Sequence, residues 1–112
     1  MLTIYHNPRC SKSRQTLALI EENNQEVSIV EYLKTPLDEA TIKSLLSRLN
    51  ISPIEMMRTK ESEFKEQSLA GKTDSQLISA MINTPKLIER PIVTSETKAV
   101  IGRPPENVLA LF

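Results

Sequence analysis

The chain has 112 residues, of which 39 % are hydrophobic and 25 % charged, and its 14 Lys and Arg balance its 14 Asp and Glu. That is one ordinary globular domain, and zero net charge argues against a general nucleic-acid binder. One cysteine (Cys10) and one histidine (His6) exclude an intrachain disulfide and a structural zinc site, so no metal is expected.

Leu2 to His6 is a short apolar, β-prone run broken by Asn7-Pro8, and it reads as a buried strand. From Ser11 onward, Leu17, Leu19 and Ile20 form the apolar side of an amphipathic helix that ends near Asn23-Asn24. Val27 to Tyr32 reads as a second strand. Strand, helix and strand in such a short span make a βαβ unit, so the two strands should be parallel. Asp38 can cap a helix with apolar positions Ile42, Leu45, Leu46 and Leu49. Ser52-Pro53-Ile54-Glu55 is a capping box with proline at the first helical position and predicts another helix start.

A further helix is predicted over 61–68. The capping box Thr73-Asp74-Ser75-Gln76 opens another, which Thr84-Pro85 stops. Residues 38–83 therefore read as all-helical. Pro91 to Thr94 and Ala99 to Ile101 are two short strands joined by a hairpin-length loop. Gly102-Arg103-Pro104-Pro105 turns into a last helix, in which Val108, Leu109 and Phe112 can face the core. No apolar run approaches a membrane span, and the N-terminus lacks the layout of a signal peptide, so a cytoplasmic protein is expected. A βαβ half and a ββα half around a helical insertion, with a cysteine at the first helix start, suggest a thioredoxin-like α/β fold with a four-stranded mixed sheet, in a single domain over residues 1–112.

The segment from His6 to Arg14 carries the most chemistry. Cys10 lies at a helix N-terminus, where backbone N–H groups are unpaired and the helix dipole is positive. Arg9, Lys12 and Arg14 add positive charge, and the first acidic residue is Glu21. Both effects favour a thiolate. The same N–H groups, with the hydroxyls of Ser11 and Ser13, form a cradle for an oxyanion. Cys10 is either a small core residue or a reactive thiol, and the basic, proline-bounded loop favours the thiol. His6 either packs at the strand end or helps to hold the thiolate. Arg9 and Lys12 are either solvated charges or ligands.

Tyr5-His6-Asn7-Pro8-x-Cys10-Ser11-x-Ser13-Arg14, followed by Arg90-Pro91-Ile92-Val93 and Gly102-Arg103-Pro104-Pro105, closely resembles the glutaredoxin-dependent arsenate reductase (ArsC) family. Glu31-Tyr32-Leu33-x-Thr35-Pro36 and Met57-Arg58-Thr59-Lys60 extend the resemblance over essentially the whole chain. The resemblance implies a thioredoxin-like fold and a nucleophile at Cys10, with His6 and Ser13 supporting its thiolate. It implies that Arg58, Arg90 and Arg103 hold the oxyanion, and Arg14 matches the family in type. Planar guanidinium forks suit a tetrahedral oxyanion. Pro91 resembles the cis-proline that faces the cysteine in thioredoxin folds.

The implied activity is reduction of arsenate to arsenite, as in arsenical resistance. Glutathione is the co-substrate, glutaredoxin the partner, no cofactor is bound, and the protein is expected to be a monomer. That some outside thiol is needed follows from the single cysteine. Two other classes share features with the chain. Spx-like regulators have this fold, bind RNA polymerase and carry a Cys-x-x-Cys switch, whose second position here is Ser13. Monothiol glutaredoxin-like proteins share the Cys-x-x-Ser spacing but not the Arg90-Pro91 context or the long helical insertion.

Overall fold

The computed structural model describes residues 1–112, which divide into two compact units: Met1–Thr35 with Arg90–Phe112, and Pro36–Glu89.

The first unit contains the strands β1 (Leu2–Tyr5), β2 (Val27–Val30), β3 (Ile92–Thr94) and β4 (Ala99–Ile101), and the helix α1 (Ser11–Glu22). The sheet order is β2-β1-β3-β4. β1 runs parallel to β2, with Ile4 opposite Ile29, and antiparallel to β3, with Ile4 opposite Val93. β3 and β4 form the antiparallel hairpin, with Val93 opposite Val100. This is the thioredoxin-like mixed sheet expected from the sequence. Residues two apart on a strand share a face, so Leu2 and Ile4 of β1 meet Val93, Ile20 of α1 and Val108 in one buried cluster.

The chain after β4 departs from expectation. Residues Pro105–Leu111 form a 3₁₀ helix rather than an α-helix. With three residues per turn, positions three apart line up. Pro105 and Val108 are therefore buried and Leu111 packs against the core, whereas Leu109 and Phe112 are exposed. Leu109 and Phe112 therefore do not face the core as a period of 3.6 would have them do.

The second unit contains α2 (Glu39–Leu49), α3 (Ser62–Glu66) and α4 (Asp74–Asn83). The Asp38 carboxylate caps α2 by accepting from the Thr41 N–H at 2.8 Å, and Asn50 closes it in the left-handed region at φ 55°. The Thr73–Gln76 capping box opens α4. The Ser52 box forms too, with Glu55 accepting from the Ser52 N–H at 3.0 Å, but it opens only a 3₁₀ turn, Pro53–Met56. Met57 is already extended and makes an isolated bridge to Ile88, and the Arg58 N–H donates to the Leu87 carbonyl at 2.7 Å. Met56 and Met57 are both buried, and an extended residue lets two consecutive side chains find separate apolar surroundings. No helix of the chain is long and apolar enough to cross a membrane.

Gly102 marks a close approach in the first unit. A Cβ there would lie 2.6 Å from Thr16 Oγ1 and 2.9 Å from Pro91 Cγ. Gly102→Ala should therefore destabilise the protein by about 1–3 kcal/mol, read as a lowered midpoint in urea denaturation.

Candidate active site

The site is built where β1 ends and α1 begins. Cys10 is the N-cap residue of α1, partly exposed and extended at φ −91°, ψ 123°, and its side chain makes no capping bond. The turn that delivers it is closed from within. The Asn7 carboxamide oxygen accepts from the Arg9 N–H at 3.0 Å, and the Asn7 carbonyl accepts from the Cys10 N–H at 3.0 Å. This is an Asx turn, and the Asn7-Pro8 pair is the sequence signal for it. In the sequence that pair ends a strand and bounds the basic loop, without showing the bond that closes the turn.

Ser13 is fully buried in the first turn of α1, and His6 is 6 % exposed. Ser13 Oγ lies 2.6 Å from His6 Nδ1 and accepts from the Asn7 N–H at 3.0 Å. One lone pair of the hydroxyl is thus taken by the backbone, and its proton is available to Nδ1 of a neutral imidazole. Burial holds the His6 pKa below the ordinary imidazole value. The nearby Arg14 guanidinium acts in the same direction, and the Glu31 and Glu21 carboxylates oppose. His6 thus packs at the strand end, and its ring is joined to α1 through Ser13.

The basic side chains divide by what holds them. Arg14 Nη1 donates to the Pro8 carbonyl at 3.0 Å, which braces the loop. Ser11 Oγ accepts from Gln15 Nε2 at 3.0 Å, which leaves its own proton to donate. Arg103 Nη1 lies 4.0 Å from Cys10 Sγ and donates to the Arg90 carbonyl at 3.3 Å. The Asn107 carboxamide donates to the carbonyls of Ile101 and Arg103 at 3.1 and 3.2 Å and so fixes the turn that carries Arg103. No sequence signal singled out Asn107. The Arg90-Pro91 peptide is cis, the geometry expected there, and Arg103-Pro104 is cis as well.

Arg90 Nε is buried without a hydrogen-bond partner, an unusual state for so strong a donor. Arg58 belongs to the second unit and is engaged there. Its Nε and Nη2 each lie 2.9 Å from Glu61 Oε1, and Lys86 bridges Glu61 and Glu63 at 3.7 and 3.3 Å. No cluster of three or more His, Cys, Asp or Glu side chains is assembled to hold a metal.

Within the first unit, Arg103 reaches Cys10, the His6–Ser13 pair fixes the loop that bears the cysteine, and the Gly102 N–H donates to the carbonyl of the cis Pro91 at 2.9 Å beside the Arg103 turn. Residues 5–111 match the model of the ArsC family. The chain belongs to the ArsC family. It is 55 % identical over 111 residues to the uncharacterized protein YfgD of Escherichia coli, covering 96 % of this chain and 93 % of that one. It is 44 % identical to an arsenate reductase of Haemophilus influenzae, covering 97 % of each chain. A solved structure of an arsenate reductase from Vibrio cholerae superposes with a TM-score of 0.95 at 44 % identity, covering 99 % of this chain and 97 % of that one. Membership accounts for the fold and for the motif segments around Cys10, Arg90 and Arg103.

Ser13→Ala removes the acceptor of the Asn7 N–H and the partner of His6, and should cost about 1–3 kcal/mol in urea denaturation. His6 also makes stability depend on pH. Its folded pKa is lowered, so below about pH 6.5 the unfolded chain takes up the proton first. The contribution is therefore present above the unfolded value and lost as the pH falls toward the folded one. Between about pH 7 and about pH 5 the wild-type urea midpoint should fall more steeply than that of His6→Asn.

Proposed function

We propose that this ArsC-family protein is an arsenate reductase, with Cys10 as its nucleophile and glutathione and glutaredoxin as the source of electrons. The observation that carries the reading is the Arg103 guanidinium 4.0 Å from the sulfur of a cysteine at a helix N-terminus. A nucleophile and permanently charged donors for its oxyanion target are thereby combined in one loop system. Relatives named arsenate reductase at 41–44 % identity support the choice of substrate.

In this reading arsenate sits at the start of α1. The N–H groups of the first turn, Ser11 and Arg103 receive its oxygens, and Arg90 brings the buried Nε that has no partner of its own. The Cys10 sulfur attacks arsenic, an As–S bond forms, and an oxygen leaves as water after taking up protons. His6 and Ser13 keep the first turn in register for that attack. The family resemblance would add Arg58, which in its own unit is paired with Glu61. Glutathione then attaches to arsenic, and glutaredoxin supplies the further thiol. In sum, two thiols and one arsenate give one disulfide, one arsenite and one water. Arsenic gains the two electrons that the sulfurs lose, and Cys10 is regenerated. The protein acts as a monomer in the cytoplasm and binds no cofactor.

The test is arsenate-dependent oxidation of NADPH coupled through glutathione reductase and glutaredoxin. Activity well above a folded Cys10→Ser control is expected, and equal rates for the two proteins would overturn the reading. Arg103→Ala should lower kcat/KM for arsenate by about 10- to 100-fold, the worth of one hydrogen bond to a charged group.

A further inference from the structure

A second opening lies beside the Cys10 loop. It is a cavity of about 240 Å³, lined by the four consecutive residues His6 to Arg9 and by Glu31, Leu33 and Lys34 from the segment after β2. All of these belong to the first unit. None of them is among the arginines or hydroxyls assigned above to the oxyanion, and only His6 has a part in supporting the nucleophile. The cavity therefore adjoins the reacting centre without coinciding with it. Arg9 ends one wall, and its Cα is one peptide, about 3.8 Å, from that of Cys10.

The lining has a definite charge pattern. The Arg9 guanidinium makes no hydrogen bond or ion pair. Lys34 Nζ lies 3.4 Å from Glu31 Oε1, and the lysine side chain is 79 % exposed, so this pair is readily exchanged. Two cations and one carboxylate thus surround an apolar floor to which Pro8 and the half-exposed Leu33 contribute. An inorganic oxyanion would find no match for Glu31 or Leu33. A tripeptide thiol with two carboxylates, one ammonium and an apolar thiol-bearing arm matches each group in kind and sign.

We infer that this cavity is the binding site of the thiol co-substrate. The carboxylates of glutathione would be held by Arg9 and Lys34, its ammonium by Glu31, and its thiol turned toward the adduct on Cys10. The inference rests on the proposed reductase activity for its purpose but not for its test. At about 240 Å³ the cavity takes part of the tripeptide, so the remainder extends over the rim at Leu33. The Glu31–Lys34 pair opens as the ligand replaces each partner with a charge of the same sign.

The experiment titrates isotope-labelled wild-type protein with S-methylglutathione, which has the charges but no thiol, and follows backbone amide shifts by NMR. Shifts centred on residues 6–9 and 31–34 are expected, and the double variant Arg9→Glu, Lys34→Glu should weaken binding by about tenfold or more. Glutathione diethyl ester, lacking both carboxylates, should bind correspondingly worse. Absence of binding, or shifts centred on residues 90–94 and 99–103, would overturn the inference. In the coupled assay the same double variant should raise the KM for glutathione by about tenfold and leave that for arsenate within about twofold. An unchanged KM for glutathione would overturn it too. Binding at 6–9 and 31–34 in a protein that reduces no arsenate would uphold the site and refute the activity alone.

Discussion

The site depends on one buried hydroxyl. Ser13 Oγ joins the side chain of His6, just past the end of β1, to the backbone of Asn7 and to the helix that Ser13 itself belongs to. A strand and a helix connected by five residues could hold many loop conformations, and this pair of bonds selects one. Because Ser13 has no exposed surface, breaking either bond would leave a buried polar group unmatched, which costs more than the bond is worth in water. The position of Cys10 is thus set by β1 on one side and by α1 on the other. Thr16, one turn further along α1, extends the constraint. Its hydroxyl donates to the Lys12 carbonyl at 2.8 Å and reaches the Gly102 carbonyl at 3.4 Å, which ties the helix to the turn bearing Arg103.

Much of this was legible in residue patterns, and the exceptions have physical causes. β4 and the capped starts of α2 and α4 fall where turn residues and apolar spacing place them. The buried stripe of α1 was harder to read. It starts with Ser13 and Thr16 and becomes aliphatic only at Ile20, so a search for apolar periodicity finds the far half of the helix and misses the half that matters. The Ser52–Glu55 box does mark a start, but a start signal does not say how far a helix runs. Burial of two consecutive methionines ended it after one turn. Cys10, His6 and Ser13 are close in sequence, so their neighbourhood was legible, but the bond of the buried Ser13 hydroxyl to His6, which takes it out of the oxyanion cradle expected from the sequence, was not. The contact of Arg103 with Cys10 spans 93 positions and could be anticipated only through the family resemblance.

The three motif arginines are in different electrostatic states. Arg58 is neutralised by a carboxylate on its own unit, Arg103 lies against the sulfur, and Arg90 carries an orphaned buried Nε. A net charge of zero hides this arrangement. Acidic partners offset the cation in the helical unit, whereas no acidic residue occurs in the first turn of α1. Positive potential is therefore kept where an anion can use it.

The start of α1 has one further consequence. A cysteine occupies the cap position without capping, Lys12 and Arg14 stand near the positive pole of the helix, and the first turn holds no carboxylate. By the usual rules of helix ends this is a poorly begun helix. An oxyanion lodged there would supply what the sequence withholds, accepting from the idle N–H groups and screening the two cations. Occupancy and the firmness of the first helical turn are then a single equilibrium.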